Sequence, residues 1–250
     1  MPVSDRWPTS SAARSGRGRN NIPGIRRGLI GNWFWLAVAV SLVVSLTPWA
    51  PMVLYPFRLF TTWVHECSHA LMTVLVGGRV MSITIDPDAS GMTNSLVPAS
   101  RLARGLVTSA GYLGAAVVGC LLMAATRIEK RAHVIFLSLG AFMLLTLVLW
   151  MRNTFGFVVV LAWAVVLLTL ARRRNAGAPR FLLSLIAVQV ALNSVYDIRV
   201  LFLIDRGPSD AATMASLFLL PSWVWATSWM LISVAMLGET LWVTRARRGR

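Results

Sequence analysis

The sequence predicts an all-α polytopic membrane bundle of about six to seven spans, with a short β-hairpin after the helix that carries His65 and His69. Three observations carry that prediction. Of 250 residues 56% are apolar and 13% charged, and the mean hydropathy is positive, a balance outside that of ordinary soluble domains. The apolar residues form long continuous runs rather than period-2 alternation, and a chain in lipid that is not a closed barrel satisfies its amides only as helix. Most runs reach the roughly 20 residues that a 30 Å hydrocarbon core requires.

Taken in order, residues 1–28 read as a disordered basic tail, because their Arg, Gly, Ser and Pro bury too little apolar surface to order the chain. The apolar run after them is too long for a cleavable signal peptide and lacks a small-residue cleavage site. Residues 29–244 then form one membrane-embedded domain, and 245–250 a basic C-terminal tail. Within the domain the spans are placed at 33–55, 59–76, 106–125, 134–151, 155–170, 181–204 and 217–243. Pro48, Pro51 and Pro56 interrupt the first boundary, so the first span is expected to end near Thr47, with a broken, partly re-entrant passage before Leu59.

Charge fixes the expected surroundings. The net charge is +15, and every basic residue except Lys130 is an arginine. They cluster in the tail, at Arg127–Arg131, at Arg172–Arg180 and at Arg245–Arg250, directly beside spans, where such clusters mark cytoplasmic loops and meet anionic lipid headgroups. The expectation is a multi-pass protein of the cell membrane with no nucleic-acid partner, since no nucleic-acid module accompanies the arginines. With those clusters inside, 134–170 and 181–243 make two hairpins, but three apolar stretches precede Arg127, so one of them is expected not to cross simply. The two cysteines, Cys67 and Cys120, define no disulfide framework.

Two of the three histidines lie four residues apart in one apolar run, in TWVHECSHALMTVLVGG. His65, Glu66 and His69 form H-E-x-x-H, which on a helix puts both imidazoles on one face about one turn apart with the carboxylate beside them. That set suits a single zinc ion per chain, with Glu66 as the base for water attacking a peptide carbonyl. Polar residues in spans also serve as interhelix glue, but three ionisable groups are an expensive way to do so. Cys67 falls about 200° around the helix from His65 and reads as packing.

A third protein ligand is sought among nine acids. Asp197 is the best candidate, lying deep in an apolar run with Gln189 and Asn193 at successive i,i+4 positions, a stripe expected to face the interior. Hydrogen bonding between helices, with Arg199 neutralising Asp197, is the competing account, and Asp210 and Asp86 are the reserves. After the histidine run, Met81, Ile83 and Ile85 alternate with polar neighbours and lead into Pro-Asp-Ala-Ser-Gly, a hairpin signature. A free strand edge there would bind an unwound substrate segment. In SAGYLGAA, small residues four apart predict a close helix contact.

These segments, together with GGRV, SGMT, RNTFGF, NSVYD and SDAA, resemble the site-2-protease-like intramembrane metallopeptidases, and more narrowly their B-like branch, over about residues 59–212. The resemblance implies a zinc peptidase within the bilayer acting on a membrane protein or peptide substrate, with His65 and His69 as ligands and Glu66 as catalytic base. The wider family draws its third ligand from an Asn-x-x-Pro-x-x-x-x-Asp-Gly pattern; Asn153 has neither that Pro nor that Asp. Two other functions fit the same residues: an inactive membrane regulatory or binding protein with a structural zinc, and a metal or proton transporter. The clustering of the polar groups at one place argues against a transport path.

Overall fold

A computed structural model of the chain describes residues 29–126, 132–173, 177–202 and 209–246. Eight helices and one hairpin follow in the order α1 (Leu29–Ser45), α2 (Ala50–Leu75), β1 (Arg79–Ile85), β2 (Gly91–Leu96), α3 (Arg101–Ala125), α4 (Ala132–Leu149), α5 (Thr154–Arg172), α6 (Gly177–Leu201), α7 (Asp210–Phe218) and α8 (Ser222–Ala246). Five of them, α3, α4, α5, α6 and α8, are long and apolar enough to cross a membrane, and α1 is a shorter apolar helix. With 26 residues α2 is the longest, and it carries Arg58, His65, Glu66 and His69. The all-helical bundle with one hairpin is therefore what the sequence predicts. The tail at 1–28, the Arg127–Arg131 loop and residues 247–250 lie outside the described residues.

Two boundaries differ from expectation. The first span does end early, at Ser45, but the passage to Leu59 is not broken: α2 starts at Ala50 and runs through Pro56. Pro51 stands in the first turn, where a helical amide has no partner to lose. Beyond it the Pro56 carbonyl accepts a hydrogen bond from Trp163 Nε1 of α5 at 3.1 Å, and Trp163 also packs on Phe57 and Phe60. Neighbouring helices thus hold the segment helical where isolated propensity would end it. The second difference is at the other end, where the run 217–243 splits: α7 stops at Leu219, which adopts φ 59°, and α8 begins after Pro221. A left-handed residue followed by proline ends one helix and frees the next to take another direction.

Helix directions follow from side-chain pairs. Trp33 meets Phe181 edge to face, and Ser41 accepts from Gln189 at 3.0 Å; the constant offset makes α1 and α6 parallel, each entering beside an arginine-rich segment. The Gln189 and Asn193 stripe does face inward, and its bonds go to neighbouring helices: Gln189 to Ser41 of α1 and Asn193 Nδ2 to Thr61 Oγ1 of α2 at 3.3 Å. Cys67 is buried in the main core among Trp63, Val64 and Ala70, as its place on the helix predicts.

The hairpin lies along α2. Gly77, at φ 80°, turns the chain out of the helix. Strands β1 and β2 pair antiparallel with a bulge between Val80 and Ser82, which moves Val80 inward and leaves Met81 half exposed, while Ile83 and Ile85 stay buried as the alternation predicts. In the turn, the Ser90 hydroxyl and amide donate to Asp88 and hold its carboxyl below the ordinary range. The outer edge of β1 is occupied: the Ile83 amide donates to the Trp150 carbonyl at 2.7 Å, the Arg152 amide to Ile83 at 3.1 Å, and Asn153 accepts from the Ile85 amide and donates to its carbonyl. That gives RNTFGF a structural role. Among the described residues, β2 pairs with β1 alone and keeps its other edge free.

Candidate metal centre

Three ligand atoms converge between α2 and α7. His65 Nε2 lies 3.0 Å from His69 Nε2 and 3.2 Å from Asp210 Oδ2, and His69 Nε2 is 3.3 Å from the same oxygen. Among the described residues this is the group of histidine, cysteine and acidic side chains able to hold a metal. For ligands about 2.0 to 2.1 Å from zinc, the edges of a tetrahedron are roughly 3.3 Å, so the triangle fits one face of such a site with a fourth position open.

Hydrogen bonding fixes which nitrogens are offered. His69 Nδ1 donates to the Val107 carbonyl of α3 at 2.7 Å, leaving Nε2 with its lone pair toward His65 and Asp210. Imidazole ligands are generally oriented by such a bond on the far nitrogen. Two imidazole nitrogens at 3.0 Å with a carboxylate beside them need a cation or a shared proton between them, and a metal ion is one cation that meets that need.

The acid that the structure brings to the two histidines is Asp210, a reserve in the sequence reading; Asp197, the first candidate there, lies outside this group. Ser209 caps α7 by accepting from the Ala212 amide at 3.2 Å, which starts the helix at Asp210 and carries that carboxylate to the histidines. Burial of Ala211 and Met214 against Ile198, Ala226 and Trp229 seats the helix. Asp197 stands off the triangle, within electrostatic reach of His65 and of Arg58 of α2. The reason for the difference is α7 itself: read as a loop flanking a span, DRGPSD gave no sign that a capped turn points its aspartate inward.

Glu66 is buried beside the histidines, and its carboxylate is held by the hairpin. Thr93 of β2 donates to Glu66 Oε2 at 2.7 Å, with the Glu66 carbonyl 3.0 Å away as its other acceptor. Gly91 presses on the remaining side: a Cβ there would come within 2.8 Å of Glu66 Cγ and Oε1. Sequence reasoning did not identify Thr93 or Gly91, although SGMT was the signal available. The same holds for Gly111 in SAGYLG, read as packing. A Cβ at Gly111 would overlap both imidazole rings, and one at Gly114 would overlap Ser68, so the close helix contact is made directly against the ligands. Tyr112 beside it stacks edge-on against His65 at 4.6 Å and parallel to Trp229 at 5.2 Å, walling the centre.

The family described as Peptidase M50B-like matches residues 35–240 of the chain, a range that includes all the residues of this centre. No curated protein and no solved structure gives a significant match.

Proposed function

The chain belongs to the Peptidase M50B-like family, and from that premise we propose that it is an intramembrane zinc endopeptidase in which His65, His69 and Asp210 hold one zinc ion and Glu66 is the general base. The observation that carries this reading is the triangle of two Nε2 atoms and one Oδ2 with a buried glutamate next to it in sequence. Zinc bound there would lower the pKa of a water to about 7 and polarise a substrate carbonyl.

The protein's own residues do the rest. Glu66 Oε2 is engaged by Thr93, which fixes the plane of the carboxylate and leaves Oε1 to take a proton from water and return it to the leaving amine. Gly111 and Tyr112 bring α3 against the histidines and narrow their exposure to bulk water, which strengthens each electrostatic contact inside. A helical substrate shields its peptide bonds, so it must unwind to react. The free edge of β2 offers a strand partner beside Glu66, while the β1 edge is already filled by residues 150–153. The substrate class is therefore a membrane-associated protein or peptide that can present an extended segment.

The test joins metal content to turnover. Purified native protein is expected to carry about one zinc per chain, lost in His65→Ala. Glu66→Gln should keep the zinc and lose turnover of a membrane substrate by a factor of about 100 to 10,000. Zinc retained with no change in the Glu66→Gln cellular phenotype would instead favour the inactive regulatory protein with a structural metal.

A further inference from the structure

Residues of α1, α3, α6 and α8 line a partly open groove of about 520 Å³. Its walls are apolar, with Phe34, Met123, Val188 and Leu237 among them, and Tyr196 and Arg199 belong to the same lining. None of the metal-centre residues takes part. Arg199 is the only charged group in the lining, and it stands in the last turn of α6, where a helix end favours positive charge. Among the described residues, the carboxylate of Asp210 pairs with the two histidines, and no described carboxylate forms an ion pair with Arg199. An exposed guanidinium at the end of an apolar groove, with no partner among the described carboxylates, suits an anionic ligand.

The volume selects the kind of ligand. A spanning helix of 20 residues, about 30 Å long and 10 Å across, occupies roughly 2,400 Å³, several times what the groove offers. A single hydrocarbon chain is the apolar body that fits, and a phosphate is the anion that a guanidinium binds through paired hydrogen bonds. We propose that this groove binds an anionic phospholipid of the surrounding membrane, one acyl chain lying between α1, α6 and α8 and the phosphate held by Arg199. Tyr196, half exposed in the same lining one turn before Arg199, adds a phenol able to hydrogen-bond a headgroup. The site is independent of the metallopeptidase reading and would stand if that reading failed.

Native mass spectrometry of the full chain in detergent, titrated with dioleoyl phosphatidylglycerol and separately with dioleoylglycerol, tests it. Phosphatidylglycerol should bind Arg199→Gln about tenfold more weakly than the native chain, and dioleoylglycerol should bind both alike. Leu192→Trp, at the exposed lip of the groove, should weaken both lipids, with an unchanged thermal midpoint showing that each variant is folded. Equal phosphatidylglycerol binding by native and Arg199→Gln overturns the proposal. A photo-crosslinker at position 192, used in phosphatidylglycerol vesicles, should capture lipid; capture of a protein helix in its place would overturn the proposal and assign the groove to a protein partner.

Discussion

At the contact between α2 and α3, Gly111 presents bare backbone to the imidazoles of His65 and His69, whereas at the contact between α4 and α5, Gly140 presents it to the aliphatic end of Leu168. Both pairs use a missing side chain to bring helices together. The consequences differ because the neighbours differ. Leu168 can rotate away from an added methyl, but the two rings are tied, His69 to Val107 and both to Asp210. Small-residue packing is thus a stability device in one pair and a positioning device in the other. The same contrast separates the polar bonds: those of α6 join helices, while that of β2 holds the carboxylate of Glu66 beside the histidines.

The largest expected effect would break the assignment of the tied side. Asp210→Ala should reduce zinc from about one per chain to almost none, whereas Asp197→Ala should retain it; metal analysis of the two purified variants reads the difference, and the opposite pattern would return the third ligand to α6. Next in size, Gly111→Ala should lower turnover by about 100-fold, because displacing positioned groups by even an ångström has that order of effect. Its counterpart Gly140→Ala should leave turnover unchanged and shift stability by only about 1 kcal/mol, since the strain against Leu168 is offset by the better helix propensity of alanine. Equal loss in both variants would remove the distinction between the two glycines.

A smaller effect is expected for Thr93→Val, which removes the hydroxyl from Glu66 without changing side-chain size. Turnover should fall about tenfold with zinc content unchanged, in line with the loss of an outer partner to a reactive group. Smallest is Asn153→Ala, which frees the Ile85 amide and carbonyl from their shared clamp. Loss of those bonds should cost about 1 to 3 kcal/mol locally, seen as faster hydrogen exchange across β1 and a raised KM with little change in kcat.

The bundle is legible because lipid leaves the backbone few choices: the continuous apolar runs correspond to α1 to α6 and α8, helices of 17 to 26 residues. Periodicity also placed Cys67 in the core and Ile83 and Ile85 on the buried face of the hairpin. H-E-x-x-H needed only the helical repeat to bring two imidazoles together, so that half of the centre was written in five consecutive residues. Pro56 misled because a proline's effect on a helix depends on what packs beside it, here Trp163 and its aromatic neighbours.

What tertiary structure alone decided is which distant residues close the site. Asp197 and Asp210 are both acids near the end of an apolar run, and burial patterns along the chain favour the first. Only the direction of α7, set by the Ser209 cap and by the packing of Met214 and Trp229, carries Asp210 to the histidines. Gly111, Thr93 and Gly91 are small residues whose meaning is likewise invisible until another element lies against them. Local patterns report what a residue's own neighbours require, whereas a ligand sphere is made by elements separated by as many as 145 positions, and their meeting is a property of the packed bundle.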